Sequence, residues 1–294
     1  MEYTKKDKIL DTAMDLFRKK GFSAASMQDI AEACGVAKAS IYKFYPSKEE
    51  LFTAAFAACH QTLLEQASEL NRSGMSLGLS LKKKLSRKIE FYLYYILENH
   101  ALMTDFHEPS LMQNMPFLEA QKKMTGALLI WQKEMLIETF GEGIEPYVWD
   151  AVLIFRGILH EYMNGVLRKV ISQPIAEIAD FIADRMEAVA LDLVRTAPRS
   201  IGGERIVRSH PMERSEKAAR KGTVRDFLAA MEERIQTLPL PESSRMELSE
   251  VVALLQQEVL AEKPNLTLLR VLKAHLEAVP ELRSYLRQLK LLLT

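Results

Sequence analysis

Apolar residues recur three and four positions apart along nearly the whole chain, and nowhere alternate as a β-hairpin requires. The pattern predicts an all-α protein. Residues 5–20 form one amphipathic helix, with Ile9, Leu10, Ala13, Leu16 and Phe17 on one side and Gly21 at its end. Ser26 is placed to cap a second helix, with Asp29 three residues on as an imperfect capping-box partner. Met27, Ile30, Ala31 and Cys34 then follow helical spacing up to Gly35, which permits a tight turn. A third short helix runs from Lys38 to Tyr45, Pro46 stops it, and Ser47 caps a fourth that begins at Lys48.

Beyond this head the same periodicity predicts a helical bundle, with helices over 48–70, 76–101, 117–140, 146–170 and 175–195. After Thr196 the texture changes. Residues 197–222 hold Pro198, Gly202, Gly203 and Pro211 and few apolar positions, which reads as a basic, poorly ordered linker. Amphipathic helices return over 223–237, 243–262, 265–279 and 280–293, with Asn265 as a cap. The expected organisation is therefore a head at 1–63, a bundle at 64–196, the linker, and a C-terminal helical module at 223–294.

The length, 294 residues, suits two or three such units, and 48% hydrophobic residues are enough for sizeable cores. No run of ~18 apolar residues could span a membrane. The first residues lack the apolar segment of a secretory signal, so a cytoplasmic protein is expected. The only cysteines, Cys34 and Cys59, fall on apolar helical faces, as buried thiols in a reducing compartment would.

Formal net charge is zero, but it is unevenly spread: +1 over 1–63, −5 over 64–194, +5 over 195–221 and −1 over 222–294. Any affinity for nucleic acid must come from locally aimed lysines and from pairing of two copies rather than from a basic body.

Two short helices around Gly35-Val36, the second rich in hydroxyl, lysine and tyrosine side chains, are what a helix-turn-helix needs to dock on DNA. Residues 5–63, in particular ILDTAMDLFRKKGFSAASMQDIAEACGVAKASIYKFYPSKEELF, resemble the N-terminal DNA-binding domain of the TetR/AcrR family of bacterial repressors. Departures are mild: Ala39 stands where glycine is common, Cys34 replaces a usual alanine, and Phe44-Tyr45 reverses a frequent order. The resemblance implies an all-helical homodimer in which a ligand-binding bundle follows the reader head and ligand releases a palindromic operator. It covers about a fifth of the chain, and nothing after residue 195 shares in it.

In such a head the second helix of the pair enters the major groove while the first crosses the backbone. Ile41, with Phe44 or Tyr45, suits the inward face. Tyr42 and Lys43 lie at the DNA surface by the resemblance. Lys43 can donate to phosphate or a guanine edge, and Tyr42 to phosphate. Lys38 and Ser40 stand at the helix start, where free N–H groups favour a phosphate, and Ser26 and Gln28 would touch the neighbouring backbone. Lys48 opens the fourth helix against its dipole, which gives it a reason to meet phosphate. Two heads ~34 Å apart would read a palindrome. By family order the pairing face falls on 146–170 and 175–195, with Ala151, Ile154, Phe155, Ile158, Leu159 and Tyr162 at helical spacing; an intramolecular core would give the same spacing.

The effector site is less defined in the sequence. Tyr92, Tyr95, Met103, Phe106, Trp131, Phe155 and Met163, with Phe91, are large and soft, and would line a pocket for a hydrophobic or flat cationic ligand. Plain core packing is the competing reading for each of them. Glu98 or Glu161 could supply a counter-charge. Lys82-Lys83-Lys84 with Arg87-Lys88 could meet DNA, a membrane surface or an acidic partner, or simply lie in solvent. No phosphate loop, HExxH or CxxC pair occurs, and the six histidines are scattered, so neither catalysis nor a cofactor or metal is expected. Two functions stay open: a repressor released by a small molecule, and an architectural or partner-regulated DNA binder whose module at 223–294 docks another protein.

Overall fold

The computed structural model describes residues 4–72, 78–103, 108–202, 216–261 and 263–293, with only the backbone at 71–72 and 216–223. Among them every regular element is helical. The N-terminal elements are α1 (Lys5–Ala24), α2 (Met27–Cys34), α3 (Lys38–Tyr42) and α4 (Lys48–Arg72). The bundle adds α5 (Leu81–Glu98), the single turns α6 (His100–Met103) and α7 (Pro109–Met112), then α8 (Met115–Phe140), α9 (Val148–Leu167) and α10 (Ile175–Thr196). The tail holds α11 (Glu216–Gln236), α12 (Glu242–Leu260), α13 (Leu266–Glu277) and α14 (Arg283–Leu293).

Local chemistry explains the boundaries. Gly21 breaks α1 at φ 74°, ψ 176°, and Gly35 ends α2 in the left-handed region at φ 67°. The expected box forms in full: Ser26 Oγ accepts from Asp29 N at 3.0 Å, and Ser26 N donates to Asp29 Oδ2 at 2.9 Å. The helix expected over 76–101 is divided. Ser80 caps α5, and Asn99 interrupts it by turning its amide back to the Tyr95 carbonyl at 2.7 Å. The third helix is shorter than its pattern. Phe44 N and Tyr45 N both donate to Ile41 O, closing a tight turn ahead of Pro46.

The chain divides into two compact units, Met1–Met212 and Glu213–Thr294. Within the first, one core runs from the head into the bundle. Ile9, Phe17, Ile30 and Ile41 of the head belong to the same cluster as Leu102, Phe117 and Leu128. Its centre is aromatic: Phe52 meets Phe17 edge-on at 5.0 Å and Phe117 at 5.8 Å, and Phe56 meets Phe117 at 5.3 Å. A second core, around Leu93, Leu136, Val152, Phe155 and Ile182, joins α5, α8, α9 and α10.

Three of the five basic residues of the α5 cluster form ion pairs inside this unit. Lys82 reaches Asp184 at 3.1 Å and Glu187 at 3.0 Å, Lys83 reaches Asp180 at 2.7 Å, and buried Lys88 reaches Glu138 at 2.6 Å. These lysines bolt α5 to α10 and α8, with Lys88 buried and Lys82 and Lys83 still partly exposed.

The expected linker is narrower than 197–222. At its start the Asp150 carboxylate accepts from Ser200 Oγ at 2.5 Å, Ile201 N at 3.1 Å and Gly202 N at 2.7 Å. At its end, residues 216–222 are already helical. In the second unit each helix packs on the next and α14 returns to α11. Val224, Leu228, Met231 and Ile235 give α11 one buried stripe, closed by Leu255, Leu276 and Leu289. Asn265 caps α13 by accepting from Thr267 N and Leu268 N.

Candidate DNA interface and effector cleft

The candidate ridge is built by one turn of helix. Ile41 is fully buried and Tyr45, one helical turn on, is only 5% exposed, so these two side chains pin the ridge to the head core. Between them Tyr42 is 43% exposed and Phe44 38%. Lys43 and Lys38 are exposed beside them, and Ser40 is half-buried. The inward aromatic left open by the sequence is thus Tyr45, and Phe44 faces solvent. Phe44 is a candidate contact that sequence reasoning missed, although the i, i+4 relation of Ile41 to Tyr45 could have shown it. An apolar ring there suits sugar edges or a thymine methyl.

The neighbouring positions are partly engaged. Ser26 is exposed, but its hydroxyl closes the cap of α2. The Gln28 amide donates to Glu32 at 2.8 Å. Lys48 lies with its ammonium 4.2 Å from the Phe22 ring centre and donates to the Ser23 carbonyl at 3.3 Å. Burial pulls its pKa down, against the carboxylates of Glu49, Glu108 and Asp29. An ammonium has three donors, and one is used here, so a phosphate contact stays open to it.

Of the seven residues expected to line an effector pocket, the six described do not all come together. Tyr92 and Met163 line a cleft of about 500 Å³ between α5, α8 and α9, and Trp131 stacks behind Tyr92 at 5.9 Å. Phe155 is sealed in the second core, Met103 is buried in the first, and Phe106 lies outside the described residues. Tyr95 turns the other way, its hydroxyl donating to the Cys59 carbonyl at 2.7 Å. Glu98 is exposed and takes no part in the cleft, whereas Glu161 stands at its rim.

Two polar residues the sequence reading passed over complete the cleft wall. Gln132 is fully buried; its Oε1 accepts from Arg156 Nη1 at 3.2 Å, and its Nε2 has no hydrogen-bond partner. Arg156 meets no carboxylate among the described residues. The cue available in the sequence was that each interrupts an apolar run, Leu128–Trp131 and Val152–Phe155 respectively.

The cleft connects with the head through α5. Tyr92, Tyr95 and Asn99 lie one helical turn apart along it, and Asn99 Oδ1 accepts from Arg18 Nε of α1 at 2.6 Å. Cys59 and Tyr95 close the same network, and burial raises both of their pKa values. No group of histidine, cysteine and carboxylate side chains able to hold a metal occurs among the described residues. No described helix is long and apolar enough to cross a membrane.

Comparison with known proteins places this geometry. Residues 9–55 match the model of the bacterial regulatory proteins of the tetR family. The chain is 30% identical over 211 residues to the uncharacterized HTH-type transcriptional regulator YerO of Bacillus subtilis (strain 168), spanning 70% of this chain and 72% of that one. A second regulator of that organism, YuxN, is also uncharacterized. It is 23% identical over 296 residues, 97% of this chain and 96% of YuxN, so that the similarity extends through the tail. The solved fatty acid degradation regulator FadR from Bacillus halodurans shares the fold with a TM-score of 0.50 at 19% identity, covering 63% of this chain and 96% of that one. The chain therefore belongs to the TetR family of bacterial regulatory proteins, DNA-binding regulators of transcription rather than enzymes.

Proposed function

We propose that the protein is a homodimeric repressor that holds a palindromic operator through Lys38, Ser40, Tyr42 and Lys43, with Ser26, Gln28 and Lys48 on the flanking backbone, and releases it when a small molecule enters the α5–α8–α9 cleft. The observation that carries this reading is the exposed Tyr42–Lys43–Phe44 ridge, held rigid by Ile41 and Tyr45 beneath it. A groove-reading element must be fixed in shape before it meets DNA, since every side chain ordered on binding subtracts from affinity.

Pairing of two copies is supported by the outward face of α9 and α10. Of the six residues expected there, Ala151, Phe155 and Leu159 are buried in the unit's own core. Ile154 is exposed, and Ile158 and Tyr162 are half-buried. Leu153, Phe181, Leu191 and Val194 add exposed apolar area on the same two helices. Exposed apolar side chains on two packed helices favour association.

Release works through α5 in this reading. A ligand beside Tyr92 shifts that helix, Asn99 moves with it, and Arg18 carries the shift to α1 and the reader ridge. The test begins with selection of bound duplexes from genomic DNA, followed by titration of the selected operator. Tyr42→Ala and Lys43→Ala should each weaken operator binding about tenfold or more while thermal stability stays unchanged. Unchanged affinity in both variants removes the ridge from the interface.

A second reading keeps some ground because the tail owns a closed core and also shows exposed Met246, Leu254 and Val271. There the tail docks a partner protein, and regulation depends on it rather than on the cleft.

A further inference from the structure

We infer that the cleft takes an anionic amphipathic small molecule, with a carboxylate head on Arg156, Gln132 and Tyr92 and an apolar body along Leu159 and Met163. The inference rests on the reading of the cleft as the effector site and adds the chemistry of what fills it. Gln132 carries the argument. Its side chain is fully buried on the cleft wall, its oxygen is already taken by Arg156, and its amide N–H groups have no partner. A buried amide donor with no acceptor is costly, and proteins keep one where a bound molecule completes it.

Arg156 points to the same kind of guest. Its guanidinium commits one of five N–H donors to Gln132 and meets no carboxylate among the described residues. Tyr92 lies near enough for the Arg156 charge to act on its phenol, whose pKa burial raises, so it remains a neutral O–H donor. Three donors of this kind match the lone pairs of one carboxylate, for which the arginine fork is shaped. A cationic guest, the other expectation from the sequence, would sit against Arg156. The carboxylate available to it, Glu161, stands exposed at the rim beside His160. Beyond the donors Leu159 and Met163 supply the apolar lining beside Gly157, and about 500 Å³ is within the range for a small-molecule site.

The test uses the full-length protein and three probes of one chain length, decanoate, decanol and decyltrimethylammonium, titrated calorimetrically below their micellar concentrations. Decanoate should bind at least about tenfold more tightly than decanol, with the cation weakest. Arg156→Gln should bring decanoate to the level of decanol, and Arg156→Lys should restore part of the difference. Should the Gln variant lose its thermal transition, the Lys variant and the probe ranking in the unaltered protein decide. Equal binding of the three probes, preference for the cation, no binding of decanoate at millimolar concentration, or an unaffected Arg156→Gln variant each overturn the inference. Operator titration with and without decanoate is read separately. Anion binding at Arg156 that leaves operator affinity unchanged defeats release by ligand but leaves the site standing. Release by a cation with Arg156→Gln unaffected does the reverse.

Discussion

His60 shows how much one side chain in α4 can decide. It is 5% exposed, its ring meets that of Phe56 at a tilt with centroids 4.2 Å apart, and its Nδ1 lies 3.0 Å from the Phe56 carbonyl, so that nitrogen carries the proton and donates. Burial lowers its pKa from 6.5 to about 4. The unfolded chain takes up a proton below pH 6.5, while the folded chain resists until near 4. Stability is therefore complete above 6.5 and drains away as pH falls towards 4, by about 3 kcal/mol. Urea midpoints measured between pH 4.5 and 7 should fall steeply in the unaltered protein and much less in His60→Phe; equal slopes would exclude His60 as the cause. At this scale the sequence was legible wherever the chemistry is local. Ser26 with Asp29, Gly35, and the outward Tyr42 and Lys43 are all read from neighbours within a turn or two. The fate of Lys82, Lys83 and Lys88 was not, because Asp180, Asp184, Glu187 and Glu138 stand far along the chain.

At the scale of elements, α5 with its C-capping Asn99 touches the cleft, the second core and the head's Arg18. Asn99→Leu should keep operator affinity within about threefold but blunt its response to ligand, because the helix can then move without pulling α1. A full ligand response in that variant would take Asn99 out of the coupling. Helix existence followed from periodicity throughout, yet ends shifted where a side chain competed with the backbone, as Asn99 does at the end of α5. The residues expected around an effector were the least legible. A large apolar residue at helical spacing gives the same signal whether it faces a cleft, like Tyr92, or a sealed core, like Phe155.

For the whole molecule, two interfaces remain to be measured. Ile154→Asp with Phe181→Asp should convert a dimer to a monomer in sedimentation velocity and lower operator affinity by at least about a hundredfold, since each half-site then binds alone. Persistence of a dimer would move the pairing surface elsewhere. Removal of residues 213–294 leaves the first unit with its cores intact. The shortened protein should keep its ligand response; loss of that response would favour the partner-docking reading of the tail. The sequence revealed this tail as a helical module but not its task, because a stripe such as Val224, Leu228, Met231 and Ile235 reports only that something covers it.

The lysine bolts on α5 carry a practical corollary. Raising ionic strength strips counter-charge effects from the phosphate rails of DNA, and it also slackens the exposed pairs that tie α5 to α10. The aromatic joint at the other end, around Phe52 and Phe117, does not feel the added salt. A brine titration of operator affinity thus turns two dials together, the grip on DNA and the stiffness of the helix we propose as the lever.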